Sequence, residues 1–352
     1  MLVNSDEILN KGLNYFENGN YNDALKQYQK VPENDTNYYI SLVEQVLAYY
    51  KLEEYEKGIA LGQKALGMTM YLSPELIVDL GCCYDNLEKY EDAVKLYQEG
   101  ARQFPKSNMM YFNQGYSLSK LNRFAEAFEC YKKSAGLNPF HAGTHYALGL
   151  MALNEGKTSL SLLAFSTYLL LAPTAQQSNG VLSTINEMTT SKYKEKITSN
   201  NIDITDGDDF SETDLLIENY VAMNKKYQVP SKTKYNFIKQ LYLLFDKLPE
   251  NPERKGFWYN TYVPFYKQML KDEKFDLFAT YILQASNSDK DKLTVEKEKS
   301  RLISFVDWLK NAWDNLHREY DMEFNNKVQH VGVFRANKGF AISSIGILNS
   351  TK

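Results

Sequence analysis

The chain has 352 residues, 43% of them hydrophobic and 24% charged, with 27 Tyr and 18 Phe; this length suggests two domains, and this composition excludes a disordered chain. A net charge of -4 with lysines scattered rather than massed gives phosphate backbones no general attraction, so nucleic acid is excluded as a partner. The longest apolar stretches, such as Ser161 to Ala172, fall far short of the roughly 20 residues that span a bilayer, so no membrane insertion is expected. The opening Met1-Leu2-Val3-Asn4-Ser5 lacks both the basic segment and the apolar core of a secretory signal; with Met1 as the native start, a cytoplasmic protein is expected. Cys82 and Cys83 are adjacent and Cys130 stands alone, which is neither a disulfide framework nor a zinc pattern, so ordinary packing is expected of them.

Between residues 5 and 173 the sequence repeats itself. Gly81, Gly115 and Gly149 recur every 34 residues, and Pro105, Pro139 and Pro173 keep the same interval. Extended backward, the frame places Gly12 and Val46 at the glycine position, with one extra residue before Gly81, so five units result. An aromatic column, Tyr21, Tyr55, Tyr90 and Phe124, with Thr158 in the fifth unit, opens the second helix of each pair. Three residues later Ala24, Gly58, Ala93, Ala127 and Ser161 are small enough to let two antiparallel helices approach closely. Four residues further on, Tyr28, Tyr97, Tyr131 and Phe165 are large, and Gly62 is the exception. The prolines end the second helix. Each unit is therefore predicted to be a helix pair.

The columns Gly81, Tyr84, Leu87, Tyr90, Ala93, Tyr97 and Pro105 resemble the tetratricopeptide repeat consensus. Unit one lacks the terminal proline, unit two lacks the glycine and the second aromatic, and unit five carries Glu155 and Thr158 at normally apolar places. The resemblance implies an all-α fold, with a right-handed helical solenoid of five helix-pair repeats over 5–173. Such units bury their apolar faces by stacking and need a cap at the end. Leu182, Ile185 and Met188 suit a capping helix within 174–199, apolar on one side only.

Residues 200–212, with Asp203, Asp206, Gly207, Asp208 and Asp209, are predicted to be an acidic, solvated linker. With Gly207 at the turn of a calcium loop, the acidic places would fall on Ile202 and Ile204, which argues against calcium. Ser211 and Asp214 form a capping-box-like start to a second helical domain over 213–325. Ile238, Leu241, Phe245 and Leu248 mark one helix in it; Trp258, Tyr262, Phe265, Tyr266 and Met269 mark another; Phe275, Phe278 and Ile282 mark a third. Leu302, Phe305, Leu309, Trp313, Leu316 and Tyr320 define a long amphipathic helix. Over 326–352, Val331, Val333 and Phe334, then Asn337-Lys338-Gly339, then Phe340, Ile342 and Ile345 read as a short β-hairpin-like tail. A lone hairpin is marginal in water. The tail therefore docks on the helices, pairs with another chain, or begins a truncated further module.

No G-x-S-x-G elbow, P-loop or dinucleotide fingerprint is present, so no catalytic residue, metal or cofactor is expected. His141 and His145 stand four apart, a spacing that can share a metal on a helix, but no Glu follows His141; a surface or groove pair without metal is expected.

In tetratricopeptide arrays the first helix of each unit lines the concave face. By that resemblance the inner positions are Leu9 and Leu13, Val43 and Leu47, Val78 and Cys82, Phe112 and Tyr116, Tyr146 and Leu150. Glu44, Asp79 and Asn113 lie beside them and disfavour acidic ligands. The family's basic carboxylate clamp, which holds chaperone tails, is matched only at Asn113, so such tails are rejected. The expectation is a non-enzymatic scaffold or adaptor that takes a peptide or helix of a protein partner in this apolar and aromatic groove. Two alternatives stay open. One is a degenerate helical enzyme. The other is a structural homo-oligomer, seamed through residues 299–320 by Phe305, Leu309, Trp313 and Leu316, with its own C-terminal domain filling the groove.

Overall fold

The computed structural model describes residues 4–68, 73–190, 199–224, 227, 229, 233–250 and 255–321, with only the backbone for 313–321. The described residues are helical, and the expected β-tail lies outside them. No helix among them is long and apolar enough to cross a membrane. The chain divides into two compact units, residues 1–134 and 135–352.

The first unit contains α1 (Ser5–Glu17), α2 (Tyr21–Tyr28), α3 (Tyr38–Lys51), α4 (Tyr55–Met68), α5 (Pro74–Asn86), α6 (Tyr90–Gln103), α7 (Asn108–Lys120) and most of α8 (Phe124–Leu137). Each helix from α1 to α6 packs on the next, and α3 also packs on α5, as α5 does on α7, so these three first helices form one layer. The glycine column explains this packing. A Cβ on Gly12 would lie 2.3 Å from Tyr28, on Gly81 2.3 Å from Tyr97, and on Gly115 2.8 Å from Tyr131. The aromatic ring of the second helix thus occupies the space that the missing side chain leaves on the first. Repeat two exchanges the sizes: Val46 is fully buried at the glycine position, and Gly62 stands where the ring would be, letting Leu80 of α5 approach instead.

A second periodic feature has no common residue type. Glu53, Glu88 and Asn122 adopt positive φ values of 60°, 57° and 59°, and Gly19 adopts 77° at the same place in repeat one. Each sits in the turn after a first helix. The following amide donates back across that turn, as in Glu54 N to Tyr49 O at 3.0 Å, Lys89 N to Tyr84 O at 2.9 Å and Arg123 N to Leu118 O at 2.9 Å. This left-handed cap satisfies the orphan carbonyls of the helix end.

The second unit holds α9 (Ala142–Asn154), α10 (Thr158–Leu171), α11 (Ser178–Met188), α12 (Ser211–Glu218), α13 (Asn236–Asp246), α14 (Phe257–Lys271), α15 (Phe275–Ile282), α16 (Asp289–Lys297) and α17 (Lys299–Asp321). Gly149 meets Phe165 as in the other repeats, at 2.5 Å from a built Cβ. Every residue of α10 from Ser159 to Leu170 is buried, because α9 covers one side and α11, α12, α14 and α15 cover the rest. The joint between α14 and α15 repeats the cap of the array, with Glu273 at φ 54° and Lys274 N donating to Met269 O at 2.9 Å. The aromatic richness of the chain is used here: Phe245 stacks on Tyr266, Trp258 on Tyr262 and Phe305 on Trp308, with ring centroids 4.0, 5.5 and 5.6 Å apart.

Three expectations are corrected in this unit. The acidic segment is not simply solvated. Asp208 accepts from Gly256 N at 2.6 Å and Tyr259 N at 2.9 Å, and Asp206 from Phe257 N at 2.9 Å. The carboxylates thereby cap the positive end of α14, where backbone donors have no helical partner. Asp214 does not close a capping box on its own helix; it accepts from Ser159 N at 2.6 Å, at the start of α10. Finally, Phe305 and Leu309 are fully buried, with Tyr281 packed on Phe305, so they serve the core of this unit and not an intermolecular seam. The side chains of Trp313 and Leu316 lie outside the described ones.

Replacing Asp208 by alanine leaves two amides at the α14 start without their acceptor and should destabilise the second unit by about 1–3 kcal/mol. Asp208→Asn, which keeps one acceptor, should cost less. A denaturation midpoint for Asp208→Ala within error of wild type would show that water replaces the carboxylate freely.

Candidate functional site

The first helices of the two units carry the residues expected to meet a partner, and these are unequally exposed. Leu9, Val43 and Asn113 are buried, at 6%, 6% and 8% exposure; Leu13, Leu47, Val78, Phe112 and Tyr146 are half-buried; Tyr116 and Leu150 are exposed, at 42% and 38%. Part of the aromatic surface packs within its own helix pair. The Phe112 ring lies 6.0 Å from Tyr131, and Tyr146 lies 5.3 Å from Tyr168 and 6.3 Å from Phe165. On the next turn of the two helices Tyr116 and Leu150 are left exposed.

On α7, Phe112, Asn113 and Tyr116 share little more than one turn. Asn113 Nδ2 is buried and has no acceptor among the described residues. A donor in that state costs free energy until something accepts from it. Glu44 is half-buried on α3 and Asp79 is buried on α5 of the same layer. Lys120, which was not singled out in the sequence, places its Nζ 5.4 Å from the centre of the Tyr116 ring; its spacing of four residues along one helix is the signal that could have found it. A second overlooked residue is Asp85. Its carboxylate is buried and accepts from Ser117 Oγ at 2.6 Å and Tyr97 OH at 3.2 Å.

The histidines are placed otherwise than expected. His145 is fully buried in the second unit, with Nε2 2.7 Å from Pro139 O and Nδ1 2.9 Å from Tyr262 OH. A carbonyl can only accept, so Nε2 carries the proton and Nδ1 accepts from the tyrosine. His141 Nδ1 is 2.8 Å from Thr144 Oγ1, and burial pulls its pKa down to about 4. His145 is core structure with both nitrogens already used, while His141 is half-buried. Among the described residues no three His, Cys, Asp or Glu side chains gather to hold a metal. Burial also pushes the thiols of Cys82, Cys83 and Cys130 up to about 12, far from the depressed values that make a thiolate nucleophile.

The tetratricopeptide repeat profile matches residues 9–72, 78–142 and 112–178. The TPR repeat-containing protein MJ1428 of Methanocaldococcus jannaschii is 28% identical over 153 residues, 42% of this chain and 27% of that protein. The chain thus matches about a quarter of the length of this curated relative. Among solved structures, TTC0263, a thermophilic TPR protein of Thermus thermophilus, is similar at 18% identity and a TM-score of 0.44, covering 51% of this chain and 97% of that one. MamA from residue 41 onward, of Desulfovibrio magneticus RS-1, is similar at 16% identity and a TM-score of 0.43, covering 49% of this chain and 97% of that one.

Proposed function

Because this chain belongs to the tetratricopeptide repeat family through residues 9–178, we propose that it is a non-enzymatic scaffold that binds a peptide or helix of another protein on its layer of first helices. The observation that carries this reading is α7, where an exposed Tyr116, a half-buried Phe112 and an unsatisfied Asn113 donor stand together. A partner would cover the two rings, aromatic anchors of the kind that dominates protein interfaces. Glu44 and Asp79 beside it select against acidic ligands. The same properties argue against nucleic acid as the partner, and a cytoplasmic site of action is part of the same reading.

Within the second unit, a groove filled by the chain's own C-terminal helices is disfavoured. Those helices pack chiefly on α10, the second helix of its pair, and α14 also reaches α9, where Tyr262 OH meets His145 Nδ1 at 2.9 Å, while Leu150 on α9 stays exposed. An enzymatic reading has less support, since the buried histidine is tied up on both nitrogens and the thiols are held protonated.

The test is affinity capture from native lysate with the full chain, comparing wild type with Tyr116→Ala and Leu150→Ala. Both side chains are exposed, so stability should change by less than about 0.5 kcal/mol. Retention of the partner should fall by about tenfold or more for an anchor residue. A partner held equally by wild type and both variants would remove the first-helix layer as its binding site.

A further inference from the structure

We propose that Asp85 is a proton-operated joint between the third and fourth helix pairs, closing α5, α6 and α7 on one another when neutral and loosening them when ionised. The side chain comes from the last turn of α5, and its two oxygens are claimed by different helices: Oδ1 by Ser117 of α7 at 2.6 Å, Oδ2 by Tyr97 of α6 at 3.2 Å. It is 8% exposed, and its hydrogen-bond partners are both hydroxyls. A buried carboxylate is ordinarily matched by a cation or by several backbone amides. Here neither is present among its partners.

The groups that face this position offer little compensation for a negative charge. From α5 comes Cys82, whose thiol burial holds neutral and on which Asp79, a second carboxylate, also acts. From α6 comes Tyr90, and from α8 Tyr131, both raised by burial and so neutral through the physiological range. From α7, Tyr116 and Lys120 act on Tyr90, the lysine holding its ammonium over the Tyr116 ring at 5.4 Å, and from α3 Lys51 acts on Cys82. Burial pushes the Asp85 carboxyl up to about 6, against the opposite pull of the two hydroxyl bonds.

The direction of the effect follows. The folded state binds this proton more tightly than the unfolded chain, whose carboxylate titrates near 3.9. The stabilisation is therefore complete below that value and is lost as pH rises through about 6. Each tenfold step in proton affinity is a tenfold step in the linked equilibrium, so the joint's opening constant should rise by about a hundredfold between pH 4 and pH 8. Since α5 carries Val78 and Cys82 and α7 carries Phe112, Asn113 and Tyr116, a joint between these helices sets the spacing of the layer they form. The proposal does not depend on what, if anything, binds there.

The full chain supplies the test. The Asp85 carboxyl carbon should titrate by NMR with a midpoint near 6. Hydrogen exchange of α5 to α7, corrected for the intrinsic effect of pH, should be faster at pH 7.5 than at pH 5 in wild type and equal at both in Asp85→Asn. Ser117→Ala removes a bond that favours the charged form and should move the midpoint above that of wild type, which distinguishes a titrating joint from a merely structural contact. A midpoint below about 4.5, or the same pH dependence of exchange in wild type and Asp85→Asn, would overturn the proposal; if Asp85→Asn does not fold, the wild-type and Ser117→Ala titrations decide.

Discussion

Replacing Tyr266 by alanine should destabilise the second unit by about 3–5 kcal/mol, the range for truncating a fully buried aromatic. Its ring is inaccessible and stacks on Phe245 at 4.0 Å, nearly parallel, with Phe278 edge-on to the pair. Its hydroxyl lies 2.8 Å from Thr167 Oγ1 and donates to Leu163 O at 3.2 Å, inside α10. The substitution therefore opens a cavity between the C-terminal helices and the fifth repeat, and removes one hydrogen bond each from Thr167 Oγ1 and Leu163 O, which remain bonded to each other at 3.0 Å. Tyr266→Phe keeps the stack and loses only the hydroxyl, so about 1 kcal/mol is expected. The measurement is denaturant unfolding followed by near-ultraviolet circular dichroism. If alanine and phenylalanine cost the same, stacking and cavity contribute little and the description of this core is wrong. If alanine instead shifts only the signals of the C-terminal helices and leaves α10 protected from hydrogen exchange, α10 does not need its cover.

Gly149→Ala should be destabilising although alanine is the better helix former. In open helix the exchange gains up to about 1 kcal/mol. At this position the new methyl would lie 2.5 Å from Phe165 Cδ1 and Cε1, and Phe165 is itself buried at 1% exposure with no room to retreat. Overpacking of this kind typically costs about 1–3 kcal/mol. Shortening the ring should relieve the clash, so Gly149→Ala and Phe165→Leu together should cost less than the sum of the two alone, with a coupling of about 1 kcal/mol or more. Gly136→Ala provides the opposite sign. Nothing lies within 4 Å of its built Cβ, so it should be neutral or mildly stabilising. Strict additivity in the double variant would mean that the glycine and aromatic columns are not one device.

That device was legible in the sequence because it is local. Glycine and ring lie 16 residues apart in four of the five pairs, and from Gly81 onward both keep the 34-residue interval. The helix pairs, their order and the all-α fold follow from such local periodicities, as do the C-terminal helices α13, α14 and α15 with their apolar residues at spacings near 3.6. The family was legible for the same reason.

What could not be read falls into two kinds. The first is conformational: Glu53, Glu88 and Asn122 share a left-handed backbone with Gly19 and Gly156, but glutamate does not announce a positive φ, so this fifth column has no sequence signature. The second is non-local. His145 finds Tyr262 across 117 positions, Asp214 finds Ser159 across 55, and Asp208 finds Gly256 across 48. Read alone, these residues looked like a surface pair, a local cap and a solvated linker.

The inner face shows the same division. The sequence by itself determined the helix pairs and their order, since periodicity is local, and the family resemblance assigned the positions expected to face inward. Only the tertiary structure decided which of those residues are used up inside a pair, as Phe112 is in part against Tyr131, and which are left over, as Tyr116 is. Exposure depends on what the neighbouring helix brings to the contact, and a carboxylate such as Asp85 acquires its unusual proton affinity only when three helices close around it without a cation.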